Sequence, residues 1–112
     1  MKYAKKETYT IVTPTETSFS AFFEALTKEL ETLKKDHLFI DFLNSFSVSI
    51  EELEGFSEIS ATHKEQGFSF VIVAEGIDID ALEDETLSIV PTLGEAEDTL
   101  EMDNIERDLL GL

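Results

Sequence analysis

Few side chains in this sequence can do chemistry near neutral pH. Two histidines, His37 and His63, are the only groups whose ordinary pKa lies there, and no cysteine occurs in 112 residues. The lack of cysteine removes thiolate nucleophiles, disulfides and cysteine-based zinc sites together. Neither histidine stands at a ligand or triad spacing, so His37 is expected at a strand edge and His63 on a helix surface. Asp78-Ile79-Asp80 opens like a calcium loop, but the fifth position is Leu82 and the turn position that needs glycine is Glu83. There is no Gly-rich phosphate cradle, nucleophile elbow or HExxH pair, and acidic pairs such as Glu51-Glu52 sit where solvation accounts for them. The expectation is a protein that is not an enzyme and holds no cofactor and no metal. Among the hydroxyls, Ser49 has a local role that can be read from its spacing. Ser49 stands three residues ahead of Glu52, the spacing at which a serine and a glutamate each satisfy a free N–H of the other's turn at a helix start.

The elements that position these hydroxyls follow from apolar patterning. Residues 38–43, Leu-Phe-Ile-Asp-Phe-Leu, are an almost unbroken apolar run of strand length, suited to a strand buried on both faces. After a Ser/Asn loop, a helix is expected from the Ser49 cap to Gly67, where glycine can take the left-handed conformation that ends helices. Gly55 inside it gives up about 1 kcal/mol relative to alanine. Residues 68–74, Phe-Ser-Phe-Val-Ile-Val-Ala, form a second buried strand. A strand, crossover helix and strand in this order predict parallel pairing with a right-handed connection.

Upstream, residues 3–12 are rich in β-branched and aromatic side chains and predict a strand ended by Pro14, with a frayed or paired segment before it. Thr17 or Ser18 caps a helix with Phe19, Phe22, Phe23, Leu26, Leu30 and Leu33 on one face, a core stripe, and with Lys28, Lys34 and Lys35 late in it. Downstream, Asp78 caps a short helix and residues 87–90 are the last strand, ended by Pro91. Leu93, Ala96 and Leu100 then begin a helix, and the phase slips to a second stripe at Met102, Ile105, Leu109 and Leu112. Two helices, or one kinked near Met102, are predicted. The second is expected to dock on this domain or on a second copy, because four apolar residues left in water each forgo roughly 1.5 to 3 kcal/mol.

Length and 42% apolar content bound the chain to one domain over residues 1–112 with a real core. No apolar run reaches the roughly 18 residues a membrane span needs, and no apolar stretch follows the basic N-terminus, so a cytoplasmic location is expected. The net charge of −17 is uneven: Arg107 stands alone against thirteen acidic residues beyond residue 74. That field repels nucleic acid and anionic lipid and favours a basic protein partner.

Taken together, residues 38–42, the serine-capped helix, the stretch Thr62-His63-Lys64-Glu65-Gln66-Gly67-Phe68-Ser69-Phe70-Val71-Ile72-Val73 and the stretch Ile89-Val90-Pro91-Thr92-Leu93-Gly94-Glu95-Ala96 resemble the STAS domain of bacterial anti-sigma-factor antagonists and sulfate-transporter tails. The resemblance covers about residues 10–100. It implies an α/β fold, a mixed sheet of four to five strands with surrounding helices, acting as a binding module in signalling. It also implies an anti-sigma-factor or kinase-like protein partner met through the loop and helix over residues 47–67, in a monomer or a homodimer. In that family the helix-start loop carries an Asp-Ser-Ser-Gly stretch with a phosphorylated serine; here Ser49 or Ser47 can take its place, and the Asp and Gly are absent. Asp41 matches the family's central-strand aspartate, and Asp41, Asn44, Ser49, Glu52 and Phe56 are the expected partner-binding residues. The alternative is a small-ligand or nucleotide-binding domain that uses the helix N-terminus near Ser49, where backbone N–H groups attract anions.

Overall fold

β3 (Leu38–Asp41) and β4 (Phe70–Val73), the two strands with apolar residues on both faces, sit side by side in the interior of a five-stranded sheet. The computed structural model describes residues 1–111. β1 (Lys2–Lys5) and β2 (Thr10–Thr13) precede them and β5 (Ser88–Val90) follows, in the order β1-β2-β3-β4-β5. β2 to β5 run parallel, with Ile40 opposite Ile72 and Ile72 opposite Ile89. β1 is antiparallel to β2, pairing Tyr3 with Val12. The N-terminal run expected as one strand is therefore a hairpin. Its turn is closed by the Lys6 N–H donating to the Tyr9 carbonyl at 2.7 Å, and Lys6, Glu7 and Thr8 remain exposed.

Alternation along the strands sends side chains into two separate cores. Val12, Leu38, Ile40, Phe70, Ile72 and Ile89 face α1 (Phe19–Leu33), α2 (Ile50–Glu54) and α3 (Ser57–Glu65). Phe39, Val71 and Val73 face Ala96 and Leu100 of α4 (Leu93–Leu110). α1 starts where Ser18 Oγ accepts the Ala21 N–H at 3.3 Å, and its Phe22, Leu26 and Leu33 are fully buried, as the stripe predicts. Lys34 is its C-cap, with Lys35 just beyond.

Two predicted helices are differently divided. The single helix expected over residues 50–67 breaks into α2 and α3, because Gly55 N–H bonds back to Glu52 O at 3.1 Å and Phe56 N–H to Leu53 O at 3.0 Å, three residues away instead of four. A Cβ on Gly55 would stand 3.0 Å from the Glu52 carbonyl oxygen, so a side chain there requires that carbonyl to give by a few tenths of an ångström. Leu53 and Phe56, on either side of the turn, are both fully buried. The chain leaves α3 through Gly67 at φ +92°, the left-handed conformation expected of it. At the other end, the two C-terminal helices expected around Met102 are one continuous α4, and Leu112 lies outside the described residues. The short helix after β4 is a single 3-10 turn, Ile79–Ala81, capped by Asp78. Among the described residues, no helix is long and apolar enough to cross a membrane.

Candidate functional site

The loop between β3 and α2 emerges at the C-terminal ends of the parallel strands, where a strand-to-helix reversal leaves side chains free of the sheet. Asp41, the last residue of β3, turns the chain: its Oδ1 accepts the Leu43 N–H at 2.9 Å, a side chain imitating a backbone turn. Ser45 Oγ donates to the Phe42 carbonyl at 3.2 Å, and Phe46 and Val48 pack partly buried against the larger core. Those two anchors leave Asn44, Ser47 and Ser49 pointing outward, all exposed.

Ser49 is the N-cap of α2. Its Oγ accepts the Glu52 N–H at 3.1 Å and Glu52 Oε1 accepts the Ser49 N–H at 3.0 Å, the complete reciprocal box. The predicted residues Asp41, Asn44, Ser47, Ser49 and Glu52 thus belong to one loop and helix start. Phe56 does not join them. It is wholly buried among the rings of Phe19, Phe23, Phe42 and Phe70, with centroids 5.4–6.2 Å away, on the inward face it shares with Leu53. Phe56 holds α2 and α3 on the sheet instead of meeting a partner.

Two hollows flank this segment. A cleft of about 320 Å³ lies between the β3–α2 loop and the β4 loop, bordered by Phe42, Phe46, Val48, Gly76 and Ile77. No lysine or arginine borders it, and the α2 N-terminus beside it is closed by its own cap and by Glu51 and Glu52. An anionic ligand finds no countercharge there. A longer groove of about 520 Å³ runs between α1 and α3, with Phe23, Leu30 and Ile59 among its apolar lining and Glu31, Glu58 and Gln66 among its polar residues. Glu54 is engaged nearby, accepting the Glu83 N–H at 2.6 Å. Among the described residues, no group of three His, Asp or Glu side chains is placed to hold a metal ion.

Sequence reasoning missed a polar cluster at the opposite end of the sheet. His63, expected on a helix surface, is only 4% exposed, and its Nε2–H donates to the Asp36 carbonyl at 2.6 Å. His37 Nδ1 accepts the Ser69 N–H at 2.9 Å, so this ring is neutral with its proton on Nε2. Phe68 lies beside both rings, with centroids 5.4 Å from His37 and 5.9 Å from His63. Burial holds both histidines below their ordinary pKa; nearby Arg107 adds to this at His37, whereas the Asp36 carbonyl partly opposes it at His63. Ser69 is fully buried; its Oγ donates to Asp103 at 2.7 Å and accepts from Arg107 at 3.1 Å, which ties α4 to the start of β4. The available signals were a serine inside the apolar run of residues 68–74 and an acid and a base four apart on one helix face.

No family model and no curated protein sequence matches the chain. Solved structures do. A serine-to-glutamate variant of Moorella thermoacetica RsbS superposes with a TM-score of 0.62 at 22% identity, over 95% of this chain and 97% of that one. A chain from the molecular architecture of the stressosome, a signal integration and transduction hub, gives 0.59 at 21% identity, over 95% and 99%. What is shared at these identities is the fold, and it is STAS-like.

Proposed function

We propose that this STAS-like domain is a non-enzymatic regulatory module in signalling that binds a protein partner through the loop and helices over residues 47–67. The observation that carries the reading is the outward presentation of Asn44, Ser47 and Ser49 at the start of α2, beside a helix pair with exposed acids Glu51, Glu58 and Glu65. Such a surface suits a partner bearing Lys or Arg, of anti-sigma-factor or kinase-like kind, because opposite potentials speed encounter and set register. The neighbours are named for RsbS and for a signal integration and transduction hub, which agrees with a regulatory role in a cytoplasmic assembly.

The test is affinity capture from the source cell, followed by titration of the recovered partner with the parent, Asn44→Arg and Ser47→Arg. Both side chains are exposed, so the variants keep the fold, and each arginine opposes a basic partner. A loss of about tenfold or more in affinity for both supports the reading; unchanged affinity moves the interface elsewhere. A thermal-shift screen with nucleotides checks the alternative of a ligand at the helix start, and a rise in melting temperature there would overturn the protein-binding assignment of this loop.

A further inference from the structure

α4 carries two apolar faces, and the sheet uses only one. Leu93, Ala96 and Leu100 pack on the sheet, and Asp103 and Arg107 continue that face down to Ser69. Met102, Ile105 and Leu109 lie on the far side, 67%, 56% and 82% exposed. Ile105 stands about 140° around the helix from Leu100. The steps of three and four between them are those of the a and d positions of a heptad. One heptad earlier the same positions hold Glu95 and Asp98, so the stripe begins at Met102 and is no spill of the core. The positions flanking it, e and g, are Glu101, Glu106 and Asp108, all acidic and all exposed.

We propose that this outer face of α4 is a docking seam for a partner helix whose apolar a and d residues are flanked by Lys or Arg. Three exposed apolar side chains in register supply the anchors, and an unbroken acidic flank selects the opposite sign across the seam. A second copy of this chain is the poorer occupant, because it would set Glu101, Glu106 and Asp108 against acids like themselves. Among the described residues, the two cations that border a hollow with Glu106 are already engaged: Arg107 by Ser69 and Asn104, and Lys64 by the Thr86 carbonyl. Nucleic acid and anionic membranes are repelled by the same charges. The seam lies on the opposite side of the sheet from α1, α2 and α3, so it stands independently of the surface proposed above.

Two synthetic helical peptides decide the matter, identical in Ile and Leu at a and d, one with Lys and the other with Glu at every e and g position. Each is titrated into the full chain by calorimetry, with amide shifts mapped by NMR. The lysine peptide is expected to bind at least about tenfold tighter than the glutamate peptide, with a gap that narrows as salt rises. Shifts should centre on Met102, Ile105 and Leu109. Ile105→Ser with Leu109→Ser should abolish binding while circular dichroism and the melting curve change little, since both side chains are mostly exposed. Glu101→Lys with Glu106→Lys should reverse the preference toward the glutamate peptide. Equal affinity for the two peptides, or no binding by either, overturns the proposal. So does sedimentation equilibrium showing a dimer of the parent that Ile105→Ser dissociates, for the occupant is then a second copy.

Discussion

Ser49 has a local job that any regulatory one must be built upon. Replacing it with alanine leaves the Glu52 N–H without its acceptor and is expected to cost about 0.5 to 2 kcal/mol by urea unfolding, whereas Ser49→Asp retains the cap. If alanine lowers stability while both variants bind the recovered partner like the parent, the hydroxyl is only a cap; loss of binding by the aspartate variant alone, on an intact fold, marks a switch. This cap was legible in the sequence because both partners lie within three residues of each other. The burial of His63 was not, because it depends on Asp36, 27 residues away, and on a β3–β4 pairing that local spacing does not encode. Both histidines carry a pH consequence. Each has its folded pKa depressed below the unfolded value of about 6.5, so the unfolded chain binds more protons as pH falls through that value, and stability is full above it and lost below it. At His37 the reason is also steric to the hydrogen bond, since a proton on Nδ1 would face the Ser69 N–H that now donates to it. The melting temperature is expected to fall between pH 7 and pH 5.5, and His37→Gln with His63→Gln should flatten that slope; an unchanged slope would remove the histidines as its cause.

Elements with strong, continuous patterning were legible, and their junctions were not. α1 and both central strands follow from apolar spacing, since their stripes are long enough to dictate which face turns inward. The break at Gly55 hides inside a pattern that stays helical on either side, because Leu53 and Phe56 share an inward face whether or not the helix turns between them. The N-terminal hairpin escaped for a related reason: β-branched residues favour extended chain but do not say where it doubles back. The phase slip in α4 was real as a pattern, but its meaning was a second face on one straight element instead of a second element. What fastens that element below Leu100 is a polar tie to Ser69. Ser69→Ala removes the acceptor of Arg107 and the donor to Asp103, and is expected to cost about 1 to 3 kcal/mol. Amide exchange over the second half of α4 should quicken with it, while exchange in β3 stays slow; equal protection in parent and variant would show that apolar packing alone holds the helix.

The charge of the whole molecule bears on what it can meet. With a net charge of −17, and with Lys64 and Arg107 both engaged, the chain offers no phosphate-facing surface beyond residue 35. Duplex DNA and RNA are expected not to bind at physiological salt, and micromolar affinity in a fluorescence titration would contradict this. Strand order has a different kind of consequence. Because each strand pairs with the one before it in the chain, the sheet can be laid down as the polypeptide leaves the ribosome, first residue to last. α1, α2 and α3 come between strands and cover their side as it forms. The other side has to wait: Tyr9 stacks on Phe39, but Val71 and Val73 lack their helical lid until α4, made after every strand, is released. A nascent chain halted at residue 92 is thus a finished sheet with one greasy side bare, the stage of synthesis at which a chaperone would hold it longest.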